Sequence, residues 1–150
     1  MTNVTPYVVA GERRTGDESF EVSSPFDGEV VARVATPTAD DIEAAVAGAA
    51  RVFEETRTLP IHARAEALRH ISEQLAARKD EVAGLIAREG GKPLKWATVE
   101  AARAVSTFRW AAEECRRTGG ELMRLDTEES LGPRMALIRR FPLGPVLGIT

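Results

Sequence analysis

The last eight residues constrain the fold more than any other stretch of the sequence. Residues 143–150, LGPVLGIT, have no charged side chain and no alternation of polar and apolar positions. That pattern is typical of a strand buried on both faces of a parallel sheet. Parallel neighbours need crossover connections, usually helical, and the sequence offers none after Thr150. We therefore expect the chain to be part of a larger α/β domain, in which residues 143–150 form a strand. The alternative is that these residues form an apolar tail that is disordered or packed against the helices.

The first 35 residues predict a small β-structure. Three short segments rich in β-branched or aromatic residues alternate with turn-forming residues, and the Asp27-Gly28 pair favours a reversal. Two or three strands alone are marginal in water, so this β-hairpin or meander must pack on a later element of the chain. The predicted strands are residues 7–10, 20–23 and 30–34, with turns at 11–17 and 24–28.

Four helices and a second hairpin are predicted after residue 36. Thr38 and Asp41 have the spacing of a capping box, and Gly90-Gly91 followed by Pro93 separates the third helix from the fourth. The fourth helix carries apolar residues on two faces, which predicts packing on both sides. The first helix is expected to end near residue 55 and the second to begin near Pro60. The third and fourth are expected at 80–89 and 93–118, and the hairpin strands at 122–125 and 135–141.

The composition excludes several classes of function. The 150 residues carry 20 Lys plus Arg against 23 Asp plus Glu, so the chain has no excess positive field for nucleic acid. No uncharged stretch approaches the roughly 20 residues of a bilayer-spanning helix. One cysteine and two histidines exclude a disulfide framework and a typical four-ligand zinc site. We expect a cytoplasmic protein with no metal, no membrane partner and no nucleic-acid partner.

Two glycine motifs and the single cysteine carry little chemistry by themselves. The Glu89-Gly-Gly-Lys-Pro93 motif lacks P-loop spacing and predicts a turn between helices, in which Lys92 satisfies carbonyls of the preceding helix. Gly144 and Gly148 fall short of the dinucleotide fingerprint. Cys115 is in register with apolar residues of the fourth helix, which predicts a buried structural thiol rather than a nucleophile. We therefore predict no catalytic residue in the chain.

Arg103 is the one charged residue in an apolar stripe of the fourth helix. At 100° per residue it falls on the same side as Trp96, Val99 and Trp110. A guanidinium there needs an acid such as Glu100, a ring to stack on, or a wet pocket. Helical spacing alone favours a structural ion pair over a ligand contact.

Four motifs taken together point to a family. They are residues 24–28 (SPFDG) with 30–37 after them, the helix at 64–75, residues 89–93 (EGGKP) with Glu100 downstream, and residues 140–150 (RFPLGPVLGIT). In this order and spacing they resemble the N-terminal third of an NAD(P)-dependent aldehyde dehydrogenase. The resemblance spans essentially the whole chain.

The resemblance implies an α/β fold of three parts. Residues 1–120 would be the N-terminal part of the cofactor-binding domain, 121–142 the oligomerisation β-hairpin of a homo-oligomer (dimer or tetramer), and 143–150 the first strand of a Rossmann-like core. The cofactor would be NAD or NADP, with the backbone of Ile149 and Thr150 bordering it.

The resemblance also implies a chemistry. In this family a cysteine thiolate attacks the aldehyde, hydride passes to the nicotinamide, and water activated by a glutamate hydrolyses the thioester, while an asparagine helps to hold the oxyanion. Those three side chains match no residue here, so this chain alone is expected to be inactive. Arg103 falls on the helix that lines the substrate entrance in this family. Members that act on phosphorylated or phosphonylated aldehydes have an arginine at the same position. That match implies a small anionic aldehyde substrate bound by Arg103.

A second class of function is a non-catalytic interaction module. It would be a helical bundle whose exposed β-hairpin pairs with a partner strand. An open reading frame that continues past Thr150 and later supplies Cys and Glu favours the enzyme, whereas a natural stop codon there favours the module. The uncovered edges of the last strand and of the hairpin predict that the isolated chain self-associates or was trimmed from a longer chain.

Overall fold

A computed structural model describes residues 4–117 and 119–149. Small sheets come first, then four helices, then a hairpin, so the expected α/β order is confirmed. The strands are β1 (Val4–Thr5), β2 (Tyr7–Val9), β3 (Glu12–Arg14), β4 (Ser19–Ser23), β5 (Val30–Ala35), β6 (Glu121–Arg124) and β7 (Met135–Ile138). The helices are α1 (Ala39–Thr56), α2 (Ile61–Ala77), α3 (Lys79–Gly90) and α4 (Leu94–Arg117).

The N-terminal strands form two small sheets. Strand β5 lies between β1, which is parallel to it, and β4, which is antiparallel. Strands β2 and β3 form a separate antiparallel hairpin. The prediction of a turn across residues 11–17 was wrong, because β3 occupies part of that stretch. The chain reverses at Ala10 and Gly11, both with positive φ, and Gly11 at +87° adopts this conformation without steric cost.

Asp41 joins the β2–β3 hairpin to the start of α1. Its carboxylate accepts hydrogen bonds from the Tyr7 hydroxyl at 2.7 Å and from Arg14 Nη1 at 2.8 Å. It also accepts one from the backbone N–H of Thr38, and the Thr38 hydroxyl accepts one from the Asp41 N–H, which confirms the predicted capping box. The hydroxyl of Thr38, the guanidinium of Arg14 and the hydroxyl of Tyr7 together hold the pKa of Asp41 well below its usual range.

Acid should therefore weaken this junction. A carboxyl whose pKa is lowered by folding contributes stability that is present above its unfolded pKa, about 3.9, and is lost as pH falls below it. We expect Asp41→Asn to lower the melting temperature at neutral pH. Between about pH 5 and pH 2 the melting temperature of this variant should fall less steeply than that of the wild type. Asp40→Asn is the matched control, because Asp40 is exposed in the same helical turn. Identical acid profiles for the wild type and Asp41→Asn would contradict the assignment.

Helices α2, α3 and α4 pack through small side chains. Ala83 of α3 is buried against Ala97 and Ala101 of α4, and α2 contributes buried Ala65. The hydroxyl of Ser72 donates a hydrogen bond of 2.8 Å to the carbonyl of Val105, which satisfies a buried polar group between α2 and α4. Such small residues allow the helix axes to approach closely.

Only one of the two apolar faces of α4 is covered by the described residues. Trp96, Val99 and Trp110 are exposed, with fractional exposures of 57%, 45% and 65%. The prediction that α4 packs on two sides therefore holds on one side within this chain. A bare indole stripe of this kind is typical of a surface that receives a ligand or another element.

The C-terminal third consists of the β6–β7 hairpin and an unpaired segment. The hairpin pairs Glu121 with Ile138 and Arg124 with Met135, so the predicted strands are confirmed except for Leu125 and residues 139–141. The described strands do not include residues 143–149, and Leu147 and Ile149 are 84% and 87% exposed. Apolar side chains this exposed lack the partners that a buried strand needs. Within the described ranges, no helix is both long and apolar enough to span a bilayer.

Candidate functional site

Arg103 lines a shallow depression on the exposed face of α4. Trp96, Val99 and Glu100 lie one to two turns before it on the same helix, and Lys92 reaches in from the preceding turn. These five residues define the α4 depression, whose volume is about 340 Å³. An apolar wall beside a small number of charged groups is the usual composition of a small-molecule site.

A glycine turn sets the position of Lys92. Gly91 ends α3 in the left-handed conformation, with φ of +62°, and Pro93 follows just before the first residue of α4. A Cβ at Gly91 would lie 2.7 Å from Cγ of Pro25, so the residue must also be small. The SPFDG and EGGKP motifs, about 65 residues apart in sequence, therefore contact each other beside the depression.

The charges of the depression are arranged differently from the prediction. The Nζ of Lys92 forms an ion pair with Oε2 of Glu100, so Lys92 does not serve the carbonyls of α3 as expected. This pairing occupies the acid that Arg103 was expected to meet. The guanidinium of Arg103 has no ion pair or hydrogen bond with any residue of 4–117 or 119–149. The Arg103 side chain is exposed and accessible to an incoming anion.

The ring of Trp96 is engaged by a second cation. The Nζ of Lys95 lies 5.3 Å from the centroid of that ring, within the range of a cation–π contact. Arg103 therefore does not need to stack on the indole. Among the described residues Arg103 has neither the acid partner nor the stacked ring that the sequence left open, and its side chain lines an exposed depression.

Ile149, one of the two residues predicted to border a cofactor, does not line the depression. Ile149 is exposed near the end of the unpaired segment, and Thr150 lies outside the described residues. This segment offers a cofactor only backbone groups and apolar side chains. It can therefore border a nucleotide as a strand, but it cannot bind the charged groups of that nucleotide. In the described ranges no cluster of three His, Cys, Asp or Glu could hold a metal ion.

A second cavity, of about 700 Å³, was not predicted. It lies between the end of α1, the start of α2, the last turn of α4 and residues 139–144, which are distant in sequence, so no local pattern reveals it. Its arginines are already engaged: Arg57 with Glu54, Arg64 with the carbonyl of Thr56, Arg139 over the ring of Phe141, and Arg140 with Glu121. Cys115 lines this cavity and is half-buried, whereas full burial was expected, because the end of α4 forms part of the cavity wall.

Comparison with known proteins identifies the family. The model of the aldehyde dehydrogenase family matches residues 12–150. The chain belongs to the aldehyde dehydrogenase family. It is 32% identical to the 3-sulfolactaldehyde dehydrogenase of Priestia aryabhattai over 152 aligned residues, which cover 100% of this chain and 31% of that protein. It is 34% identical to aspartate-semialdehyde dehydrogenase 1 of Pseudomonas canavaninivorans, covering 87% and 28%.

Solved aldehyde dehydrogenases have the same fold in the matched region. The NADP-dependent glyceraldehyde-3-phosphate dehydrogenase of Bacillus halodurans, solved with NADP, superposes with a TM-score of 0.84 at 27% identity. That superposition covers 95% of this chain and 30% of the neighbour. The chain spans between 25% and 31% of the length of the curated relatives it matches.

Proposed function

We propose that this chain is the N-terminal part of an NAD(P)-dependent aldehyde dehydrogenase that oxidises a small anionic aldehyde to the carboxylic acid. Family membership over residues 12–150 supports the reaction class. The family's catalytic cysteine, glutamate and asparagine match no residue of this chain, so the chain contributes binding surface and is inactive alone. Bound NAD or NADP supplies the hydride acceptor.

The three segments have separate roles in this proposal. Residues 1–120 form the outer part of the cofactor domain, and residues 121–142 form the hairpin through which the enzyme assembles as a dimer or tetramer. Residues 143–150 form the first core strand, in which Ile149 and Thr150 border the cofactor through their backbone. Exposed apolar side chains support the role of the hairpin in assembly and the role of the terminal segment as a core strand. A single cysteine suits a reducing cytoplasm.

The choice of an anionic substrate rests on the guanidinium of Arg103, which has no ion-pair partner among residues 4–117 and 119–149. A guanidinium presents parallel N–H donors that match two oxygens of a carboxylate, sulfonate or phosphate. Several relatives are named for such aldehydes, including the 3-sulfolactaldehyde and malonate-semialdehyde dehydrogenases. Others are named for uncharged lactaldehyde, so the proposal depends on Arg103 itself.

The test is Arg103→Ala in the enzyme that contains this chain. Lactaldehyde and 3-sulfolactaldehyde are matched probes, because they differ by the sulfonate group. Hydrogen bonds to a charged group are worth about 1.5–3 kcal/mol, so the sulfonate aldehyde should lose about 10- to 100-fold in kcat/KM while lactaldehyde changes little. Arg109→Ala, an exposed arginine elsewhere on α4, is the control. Equal losses for both aldehydes in Arg103→Ala would refute the proposal.

A further inference from the structure

The cavity of about 700 Å³ between α1, α2, α4 and residues 139–144 has a strongly positive wall. Among the described residues this wall contains four arginines and no acidic side chain. The four arginines define the arginine cavity and are Arg57, Arg64, Arg139 and Arg140. They come from the residue after α1, from the start of α2 and from the segment after β7, so the fold brings them together. Guanidinium groups that converge on one space repel one another unless negative charge lies among them.

Two of these arginines lack an acid partner within residues 4–117 and 119–149. Arg64 donates a hydrogen bond of 3.0 Å to the carbonyl of Thr56, and the guanidinium of Arg139 lies 5.2 Å from the centroid of the Phe141 ring. Both contacts are with uncharged groups, so neither neutralises a positive charge. The other two arginines each have a glutamate partner outside the cavity wall. The cavity therefore keeps two uncompensated positive charges among the described residues.

Apolar side chains form another part of the same wall. The rings of Phe53 and Phe141 and the side chains of Leu59 and Ile61 all line the cavity. Its volume falls within the range of about 300–1,000 Å³ that is usual for small-molecule sites. The combination of apolar surface with a small number of charged groups suits a ligand that has an apolar body and an anionic head.

The start of α2 adds to the positive field of the arginines. Ile61, the first residue of α2, lines the cavity, and the N-cap residue Pro60 makes no side-chain hydrogen bond to the helix. The first turn of α2 contains no acidic residue. No side chain of that turn therefore offsets the positive end of the helix dipole.

We propose that the arginine cavity binds a small organic anion with two negative charges and an apolar body, such as the phosphate ester of an aromatic alcohol. Two negative charges balance those of Arg64 and Arg139, and a guanidinium fork matches the oxygens of a phosphate. The apolar body packs against the rings of Phe53 and Phe141. The cavity shares no lining residue with the α4 depression, so the inference does not depend on the substrate anion assigned to Arg103.

Calorimetric titration of phenyl phosphate into the enzyme that contains this chain tests the proposal. The enzyme carries Arg103→Ala and is saturated with NAD or NADP, so that neither the α4 depression nor the cofactor site takes up the probe. Well above the second phosphate pKa of about 6, the probe carries two negative charges. We expect saturable binding with a Kd of about 0.1 mM.

Two arginine variants locate the bound probe. Arg139→Gln removes an exposed cavity arginine, and the Kd should rise about tenfold because a charge-assisted hydrogen bond is lost. Arg134→Gln is the matched control, because Arg134 is an exposed arginine outside the cavity wall, and it should leave the Kd unchanged. Arg64→Gln should also weaken binding about tenfold, and it decides the question if Arg139→Gln does not fold.

Two smaller probes separate the head of the ligand from its body. Inorganic phosphate has the charge without the ring and should bind about tenfold more weakly than phenyl phosphate, whereas phenol has the ring without the charge and should not bind measurably. Selective weakening in Arg139→Gln, with no change in Arg134→Gln, supports the site. Absence of saturable phenyl phosphate binding, or the same Kd in both variants, overturns it. Equal affinities for phenyl phosphate and inorganic phosphate would overturn the apolar body assigned to the ligand.

Discussion

Replacing Leu147 by Asp should abolish folding and activity of the enzyme that contains this chain, yet leave the isolated chain unaffected. In the isolated chain this side chain is 84% exposed, so a carboxylate there stays in water. In the proposed core strand the same carboxylate would be buried without a partner. The cost of that burial, with the lost leucine packing, is more than about 5 kcal/mol, comparable with the whole stability of a domain.

Two measurements check this prediction. Soluble yield and aldehyde-dependent reduction of NAD or NADP report on the enzyme, and the melting temperature reports on the isolated chain. Leu147→Ile is the matched control, because it retains the apolar volume and should preserve both readouts in the enzyme. An active, soluble Leu147→Asp enzyme would place residue 147 at a surface and contradict the core strand.

Replacing Gly120 by Ala should disrupt the β6–β7 hairpin. Gly120 has a φ of +102°, which residues with a Cβ rarely adopt, and an added Cβ would lie 2.2 Å from the carbonyl oxygen of Ile138. That neighbour is backbone of the segment paired with β6, so the clash can be relieved only by moving the hairpin. We expect a loss of about 3 kcal/mol, or separation of the two strands.

The adjacent glycine supplies the control. An added Cβ at Gly119 meets no atom within 4 Å, so Gly119→Ala should cost much less stability than Gly120→Ala. Thermal unfolding of both variants, with amide exchange of residues 121–124 and 135–138, checks the prediction. Because the hairpin is the proposed assembly element, light scattering of the enzyme should also show a smaller particle for Gly120→Ala. Equal stability of both variants would show that the chain accommodates a side chain at residue 120.

Local signals made much of the secondary structure predictable. The capping box of Thr38 and Asp41, and the left-handed Gly91 before Pro93, fix helix ends through contacts within a few residues. Strand β3 was missed because its sequence, Glu-Arg-Arg, has no apolar alternation and is stabilised by pairing with β2. A short charged edge strand of this kind gives little sequence signal.

The site was only partly predictable. Helical spacing placed Arg103 with Trp96 and Val99, because residues three and four apart share a face. The ion pair of Lys92 with Glu100 was not predicted, since it crosses the turn at Pro93 and depends on the direction in which α4 leaves that turn. The contact between Gly91 and Pro25 is likewise tertiary, and only the fold brings those motifs together.

Amide hydrogen exchange at residues 146–149 tests most directly the claim that the terminal segment is an inner strand of a larger sheet. These residues follow Pro145, and in the isolated chain no strand of the described ranges pairs with them, so their amides should exchange rapidly. In the enzyme that contains the chain, the same amides should be among the most slowly exchanging, because central strands open only with global unfolding. Rapid exchange in both proteins would contradict the strand, and with it the assignment of Ile149 and Thr150 to the border of the cofactor.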